Sequence, residues 1–481
     1  MQELLGFAPD LPSNTPGIML DCENLVPTLT GFRAAGQLQD VAYPALPNEC
    51  RGAVSVLRLD NQRRFFAGTP TKLYEGVSNA WVDRSKTGDY TSGAENRWRF
   101  AQFGNVTLAT NQADKIQAST GAGFDDIAEA PQARIIITTA GFVMAFATVD
   151  ATYGDMADMW WCSGLYDHTA WTPDVAKQSA NGRFLDTPGE IRAAKTLGLP
   201  VVVYKESSMY IGQYVGPPFI WSWQPVPGEI GALSQESVVD IDTAHVFVGK
   251  DDFWVYDGSR PEPIGAPVRG WFFDNANPSF LYRTHGYFDR VSGIVAWYFV
   301  SKQSSGELDS CILYNTKTKR WGKVSRTIQA TVEYIATAVT YDDLGDLYAT
   351  YDDITGIAYD SPQWFAGGVT PAVFDGGGEL KLIGDTPMPC ALTTWDIGDD
   401  AAFTTITRLR CRFSKSPESA TLQAHWKNGL GDAIHNGEAA TFDDGKFDLL
   451  WSSRWHRLRI DLTGPVEITA VQPSLTLDGD R

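Results

Sequence analysis

The sequence predicts an all-β chain: a β-propeller of about seven blades, with a β-sandwich-like domain appended at its C-terminal end. Three observations carry this. From about Ala53 to Asp375 one pattern recurs at roughly 35–45-residue intervals, an apolar stretch, a turn, a second apolar stretch and an aromatic-tipped stretch, which is the period of radial sheet repeats. Examples are RFFAGTPTKLYEGVSNAWV (64–82), AHVFVGKDDFWVYDG (244–258) and LDSCILYNTKTKRWGKV (308–324). The 45 Gly, 26 Pro and 16 Trp supply turns and strand-end aromatics. Beyond residue 400 strict period-two alternation takes over, as in TRLRCRFS (407–414) and RWHRLRIDLTG (454–464), which marks half-buried antiparallel strands.

Taken in order, residues 1–51 are Pro-rich and aperiodic and read as an extended arm that wraps the first blade or closes the ring. Residues 52–375 form the propeller, with blades expected at 52–83, 97–127, 134–174, 191–226, 236–265, 285–325 and 332–360. The polar segments GKDD, NTKTK and YDDLGD are the hairpin turns between strands. A long connection is expected at 174–190, and Ala176–Ala180 and Glu190–Leu197 could each hold a helical turn. The glycine- and proline-rich segment 376–389 (GGGELKLIGDTPMP) reads as a linker, and 390–481 as the antiparallel C-terminal domain.

The net charge is −19. Residues 401–481 hold ten basic and ten acidic side chains, so the excess belongs to residues 1–400. A body this acidic repels phosphate backbones, which argues against sequence-reading nucleic-acid binding and permits a wall along which DNA slides without sticking. The six cysteines are scattered without a CxxC pair and read as reduced, buried thiols. The N-terminus lacks the basic and apolar regions of a signal peptide, and the most apolar run, 134–149, is too short to span a bilayer; a soluble protein made in a cytoplasm is expected.

Chemistry is sparse. No HExxH, Walker A loop, GxSxG elbow or dinucleotide fingerprint is present, and neither a cofactor nor a metal is expected. The carboxylate pairs Asp251/Asp252, Asp342/Asp343 and Asp352/Asp353 lie in polar turns, where Asp bonds neighbouring backbone. The oxygen-rich stretch 342–353 lacks the order of a calcium loop. CSGLYDHTAW (162–171) approaches a sialidase Asp-box, with the register wrong. The many Trp residues fit packing between blades better than sugar stacking. Arg408, Arg410, Arg412, Arg457 and Arg459, on the polar sides of the C-terminal strands, form a candidate subunit-docking face, because Arg pairs carboxylates bidentately.

Four stretches carry a family resemblance: CENLVPTLTGFRAAGQ (22–37), KLYEGV (72–77), 159–216 from MWWCSGLYDHTAWTPD through VVVYKESSMYIGQYVG, and LLWSSRWHRLRIDLTGPVEITAVQPSLTL (449–477). In these the chain resembles the tail nozzle, or tail hub, proteins of short-tailed bacteriophages, also called packaged-DNA stabilisation or head-closure proteins. The resemblance implies a propeller followed by a small β-domain. It also implies a non-enzymatic virion component assembled in the host cytoplasm into a homo-oligomeric ring, typically a hexamer, beneath the portal and adaptor proteins. Such a ring closes the head–tail connection, retains the packaged DNA and conducts it during ejection without binding it specifically. The acidic surface is then expected to face the ring lumen. The alternative is a propeller that binds host glycan at the tail, or, further off, a propeller glycosidase.

Overall fold

The computed structural model of the chain describes residues 1–335, Thr350 and residues 369–479. Five four-stranded antiparallel sheets follow one another in sequence, at 53–83, 99–126, 132–183, 191–226 and 238–263. Each is a meander whose first strand is the inner one, and the inner strands contact one another in succession around an axis. The pattern behind this is local: alternate residues of each strand are apolar and face the neighbouring blade. Ile136, Val143 and Ala145 of blade 3 pack toward blade 2, while Ile135, Met144 and Phe146 pack toward blade 4. A blade strand is therefore buried on both faces, which explains near-continuous apolar runs such as Phe142–Asp150.

Blades 6 and 7 share a strand. His285–Asp289, Ile294–Phe299 and Leu308–Asn315 pair in order, and the first half of Trp321–Ile335 closes blade 6. The second half of that strand shifts register near Ile328 and pairs with Val369–Asp375 as the inner strand of blade 7. It lies beside the inner strand of blade 1, so the wheel closes at seven blades. Of the expected seventh blade (332–360), 332–335 belongs here and the remainder, Thr350 apart, lies outside the described residues, as do Asp342/Asp343, Asp352/Asp353 and nearly all of the oxygen-rich stretch.

Three sequence expectations are corrected. Segment 376–389 is not a linker, because Leu380–Pro387 is the third strand of blade 7. The glycine triplet is its hairpin turn, with the Asp375 carboxylate accepting from the amides of Gly377 and Glu379 and Gly378 at φ +77°. Residues 174–190 are not a bare connection, since Ala180–Arg183 is the outer strand of blade 3. Segment 190–197 is not helical, since Ile191–Thr196 is the inner strand of blade 4. The one α-helix among the described residues, Arg269–Asn275, leaves no sequence signal because seven residues are too few to display a helical period.

The first forty residues are more than an arm. Gly36–Asp40 adds to Leu380–Pro387 as the outer strand of blade 7, so N- and C-terminal segments jointly complete the wheel. A Cβ on Gly36 would stand 1.6 Å from the carbonyl oxygen of Gly384, so the strands reach this spacing only with glycine there. Leu25–Pro27 bridges the wheel strand Trp321–Ile335 to Phe32–Ala34, and the other arm strands enter the C-terminal domain, a sandwich of two sheets. One sheet contains Phe403–Lys415, Lys446–Ser453 and Glu467–Gly479, with Phe32–Ala34 and Gln2–Glu3 on its edge. The other contains Cys390–Thr394, Trp455–Thr463, Ser419–Lys427 and His435–Thr441, with Ile18–Glu23 and Gly6–Phe7 added. Between them Ile406, Leu409, Phe447 and Ile468 meet Leu422, Leu458 and Ile460, all within 1% of full burial. The same core continues through Phe7, Phe272 and Trp321 into blades 5 and 6. Asp10 of the arm accepts from the amides of Gly270 and Trp271 at the start of the helix, fastening sandwich to wheel.

Candidate functional site

The five arginines expected to form one docking face do not share one. Arg408, Arg410 and Arg412 project from the outer side of the first sheet, and Arg457 and Arg459 from the outer side of the second. Period two places each set opposite its own buried Leu and Ile neighbours, and the sandwich then turns the two sets away from each other. Arg457 is committed internally, donating from Nε and Nη2 to the buried carboxylate of Asp396 at 2.9 and 3.0 Å. Arg459 lies against Asp461 and Glu23, and Arg408 against Asp448. Arg410 and Arg412 alone of the five are exposed and form no ion pair among the described residues.

The sequence motifs weighed for chemistry resolve into structure. In 162–171 the Asp167 carboxylate accepts from the amide and hydroxyl of Thr169, and Trp171, fully buried, donates from Nε1 to the His168 carbonyl at 2.8 Å. Asp252 is buried, accepts from the Phe253 amide and is paired with Arg269 at 2.9 Å. Trp160, Trp161, Trp171, Trp221, Trp297 and Trp321 are all buried, and Trp223, Trp254 and Trp271 are half-buried. No group of three or more His, Cys, Asp or Glu side chains is placed to hold a metal ion among the described residues.

The convergence of charge that the sequence did not disclose is at one mouth of the propeller axis. Arg99, Arg134 and Arg192 sit within the first three residues of the inner strands of blades 2, 3 and 4. Equivalent positions of a wheel are neighbours in space although some thirty to sixty residues apart in sequence. Glu190, Glu236 and Arg97 lie just before inner strands, and His285 begins that of blade 6. Here they border a cavity of about 400 Å³ lined by Asn96, Arg97, Arg99, Gln112, Arg134 and Glu190, among others. No local motif signals this; only alignment of the repeats by inner strand brings RWRF (97–100), QAR (132–134) and EIR (190–192) into register.

Arg99 donates from Nε and Nη2 to both carboxylate oxygens of Glu236, at 2.6 and 3.0 Å, and from Nη1 to the Arg134 carbonyl at 2.7 Å. Arg134 and Arg192 share Glu190, at 2.8 and 2.7 Å. The side-chain amide of Gln235 clamps both backbone groups of Ala194. Burial raises the Glu236 carboxyl, but Arg99, His285 and Arg97 outweigh it and hold the group at about 2. Burial pushes the His285 imidazole down to about 4 against the pull of Glu236. Blades 2 and 5 stand on opposite sides of the wheel, so the Arg99–Glu236 pair spans the axis and closes it to a macromolecule. Any passage for a nucleic-acid duplex must lie outside a single propeller.

Two histidines pushed down to about 4, His245 and His285, bear on the acid limit of the fold. His245 is fully buried; its Nδ1 accepts from the Tyr204 hydroxyl at 2.8 Å and its Nε2 lies 3.0 Å from the Thr196 carbonyl, so folding holds the ring neutral and burial lowers its pKa. His285 is half-buried and its Nδ1 has no hydrogen-bond partner, but burial of its ring pushes its pKa the same way. Both folded pKa values lie below the unfolded value of 6.5, so the unfolded chain binds these protons first, and stability falls as pH drops from 6.5 toward 4 at up to about 1.4 kcal/mol per pH unit for each histidine. Urea midpoints at pH 7, 5.5 and 4 should decline across this window; a flat profile between pH 7 and 5 contradicts the assignment.

No family model matches the chain, and no curated protein matches it. Solved structures similar to it include YCF48 bound to a D1 peptide, 10% identical over 72% of this chain and 97% of that one, with a TM-score of 0.38. The Neurospora crassa Pan2 WD40 domain is 6% identical over 75% and 96%, with a TM-score of 0.39. A fungal alcohol oxidase in complex with copper is 10% identical over 92% and 99%, with a TM-score of 0.45. Likenesses at this level carry no function across, and the seven-bladed assignment rests on the sheet pairing of the chain itself. Among the described residues no helix is long and apolar enough to cross a membrane.

Proposed function

We propose that this protein is a virion structural subunit of a phage tail nozzle, a homo-oligomeric ring that closes the portal channel, retains packaged DNA and conducts it outward. The observation that carries the reading is the resemblance of residues 22–37, 72–77, 159–216 and 449–477 to that family. Two physical features support it. The −19 charge lies in residues 1–400, which build most of the wheel, and an acidic lumen wall repels a passing duplex. The wheel and sandwich share one core and one interlocked N-terminal segment, which suits a part that transmits load between a portal and a tail tip. Because Arg99–Glu236 closes each propeller axis, the DNA path in this reading is the space enclosed by several copies. Arg410 and Arg412 are its docking cations toward the acidic body of a neighbouring copy.

Light scattering on the purified chain tests it: the expected particle contains roughly six copies of the 52.8 kDa subunit, seen as an annulus by negative-stain microscopy. Charge reversal by Arg410→Glu with Arg412→Glu should shift the population toward monomer without altering far-UV circular dichroism. A monomer at all concentrations that binds a glycan array would instead favour the host-glycan reading, and sugar release abolished by one Asp substitution would favour the glycosidase.

A further inference from the structure

Arg97 is the guanidinium at the propeller mouth without a carboxylate in salt-bridge contact, although Glu236 and Glu49 lie near enough to act on it. Its neighbours are all matched: Arg99 by Glu236, Arg134 and Arg192 by Glu190, and Arg283 by Glu95. Arg97 forms no ion pair among the described residues, and its Nη1 donates one long hydrogen bond, 3.3 Å, to the Gln329 carbonyl. A half-buried cation with no carboxylate in contact is costly, and in a chain of net charge −19 a surplus arginine at one spot is the more conspicuous. A second orphan lies close by: Nδ1 of His285 is buried without a hydrogen-bond partner.

The cavity beside Arg97 has a chemical polarity. Gln112 spends its carbonyl oxygen on Arg134 Nε, which leaves its amide NH₂ as a donor. Asn96 and Tyr282 also line the space. The carboxylates that line it, Glu95 and Glu190, already accept from Arg283, Arg134 and Arg192, and Glu236 beside it accepts from Arg99. The unspent capacity is therefore one positive charge with neutral donors, the complement of an oxyanion. A cation would meet four guanidinium groups, and an apolar ligand would strand them. A polyanionic chain is excluded from the axis by the Arg99–Glu236 closure and repelled by the acidic body, which leaves a small ligand.

We propose that the mouth of the propeller axis binds a small oxyanion, a phosphate or a carboxylate, through Arg97, with Gln112 and Asn96 as supporting donors. Calorimetric titration of the full chain with inorganic phosphate and with succinate, at matched chloride ionic strength, tests it. Saturable binding at one site per chain is expected for at least one of them. Arg97→Gln should weaken it about ten- to hundredfold, the loss of a charge-assisted contact, while Arg97→Lys keeps part of it. Saturation by phosphate alone assigns a phosphate site, by succinate alone a carboxylate site, and by both a site that reads oxyanion charge. Gln112→Leu removes a donor without removing charge and should cost several-fold, which keeps the test open if Arg97→Gln does not fold. Absence of saturable heat from the wild-type chain with either anion, or equal affinity in a folded Arg97→Gln variant, overturns the proposal.

Discussion

Deletion of residues 1–40 is expected to abolish folding of the whole chain, not merely to loosen one end. These residues contribute strands to three places at once. Gly36–Asp40 completes blade 7, Ile18–Glu23 pairs with Cys390–Thr394, and Phe32–Ala34 pairs with Glu467–Gly479. Leu4, Phe7, Ile18, Met19, Cys22, Leu25 and Phe32 are all at most 1% exposed. At about 1.5–3 kcal/mol for each large apolar side chain, removing them forfeits on the order of 10–20 kcal/mol. That equals or exceeds the whole stability of an ordinary domain, about 5–15 kcal/mol. The facing residues Leu392, Leu462 and Trp321 would be uncovered as well, and the strand Leu380–Pro387 would become an open edge prone to pairing with other chains. The measurement is soluble yield, near-UV circular dichroism and the cooperativity of thermal melting of the truncated chain beside the full one. An arm that only wraps the surface predicts a soluble protein melting a few degrees lower; a truncated chain of that kind would sink the interlocked architecture.

What could be read beforehand and what could not divides along a physical line. Alternation and turn chemistry are local, so the blades at 53–83, 99–126, 191–226 and 238–263 stand within two or three residues of where the repeats put them. Pairing between distant segments leaves no local trace. Nothing in GQLQD (36–40) says that it adds to LKLIGDTP (380–387), and a glycine triplet in a hairpin has the composition of a linker. Period two correctly turned Arg408 and Arg457 outward from their strands, yet it cannot say which sheet a strand joins, so two back-to-back faces read as one. The cluster around Arg97, Arg99 and Arg134 was hidden for the same reason: each arginine is unremarkable in its own repeat, and closure of the wheel alone makes them neighbours. Facing outward does not leave Arg457 free, because its guanidinium bends to a buried carboxylate that comes from another strand connection.

That carboxylate carries the second large effect: Asp396→Ala should destabilise the sandwich by about 3–5 kcal/mol, the usual consequence of removing one partner from a buried ion pair. The Asp396 side chain is wholly inaccessible and meets Lys427 Nζ at 2.6 Å and Arg457 Nε at 2.9 Å; Lys427 itself is 5% exposed. Burial raises its carboxyl, but the hydrogen bonds from Arg457 and Lys427 prevail and hold it below the usual range. Its backbone amide donates to the Ser13 carbonyl at 2.7 Å, so the same residue anchors the arm. With the carboxylate gone, the Lys427 ammonium keeps the Leu430 carbonyl at 2.7 Å but loses its counter-charge in a place water does not reach. Urea unfolding should show the loss directly. Lys427→Met combined with Asp396→Ala should cost less than the two single changes added together, because the stranded cation is then removed. Arg410→Glu, by contrast, should leave the urea midpoint within about 0.5 kcal/mol of wild type, as expected of an exposed position. If Asp396→Ala and Arg410→Glu shift the midpoint equally, the division between an internal Asp396–Arg457 lock and an external Arg410–Arg412 face is wrong.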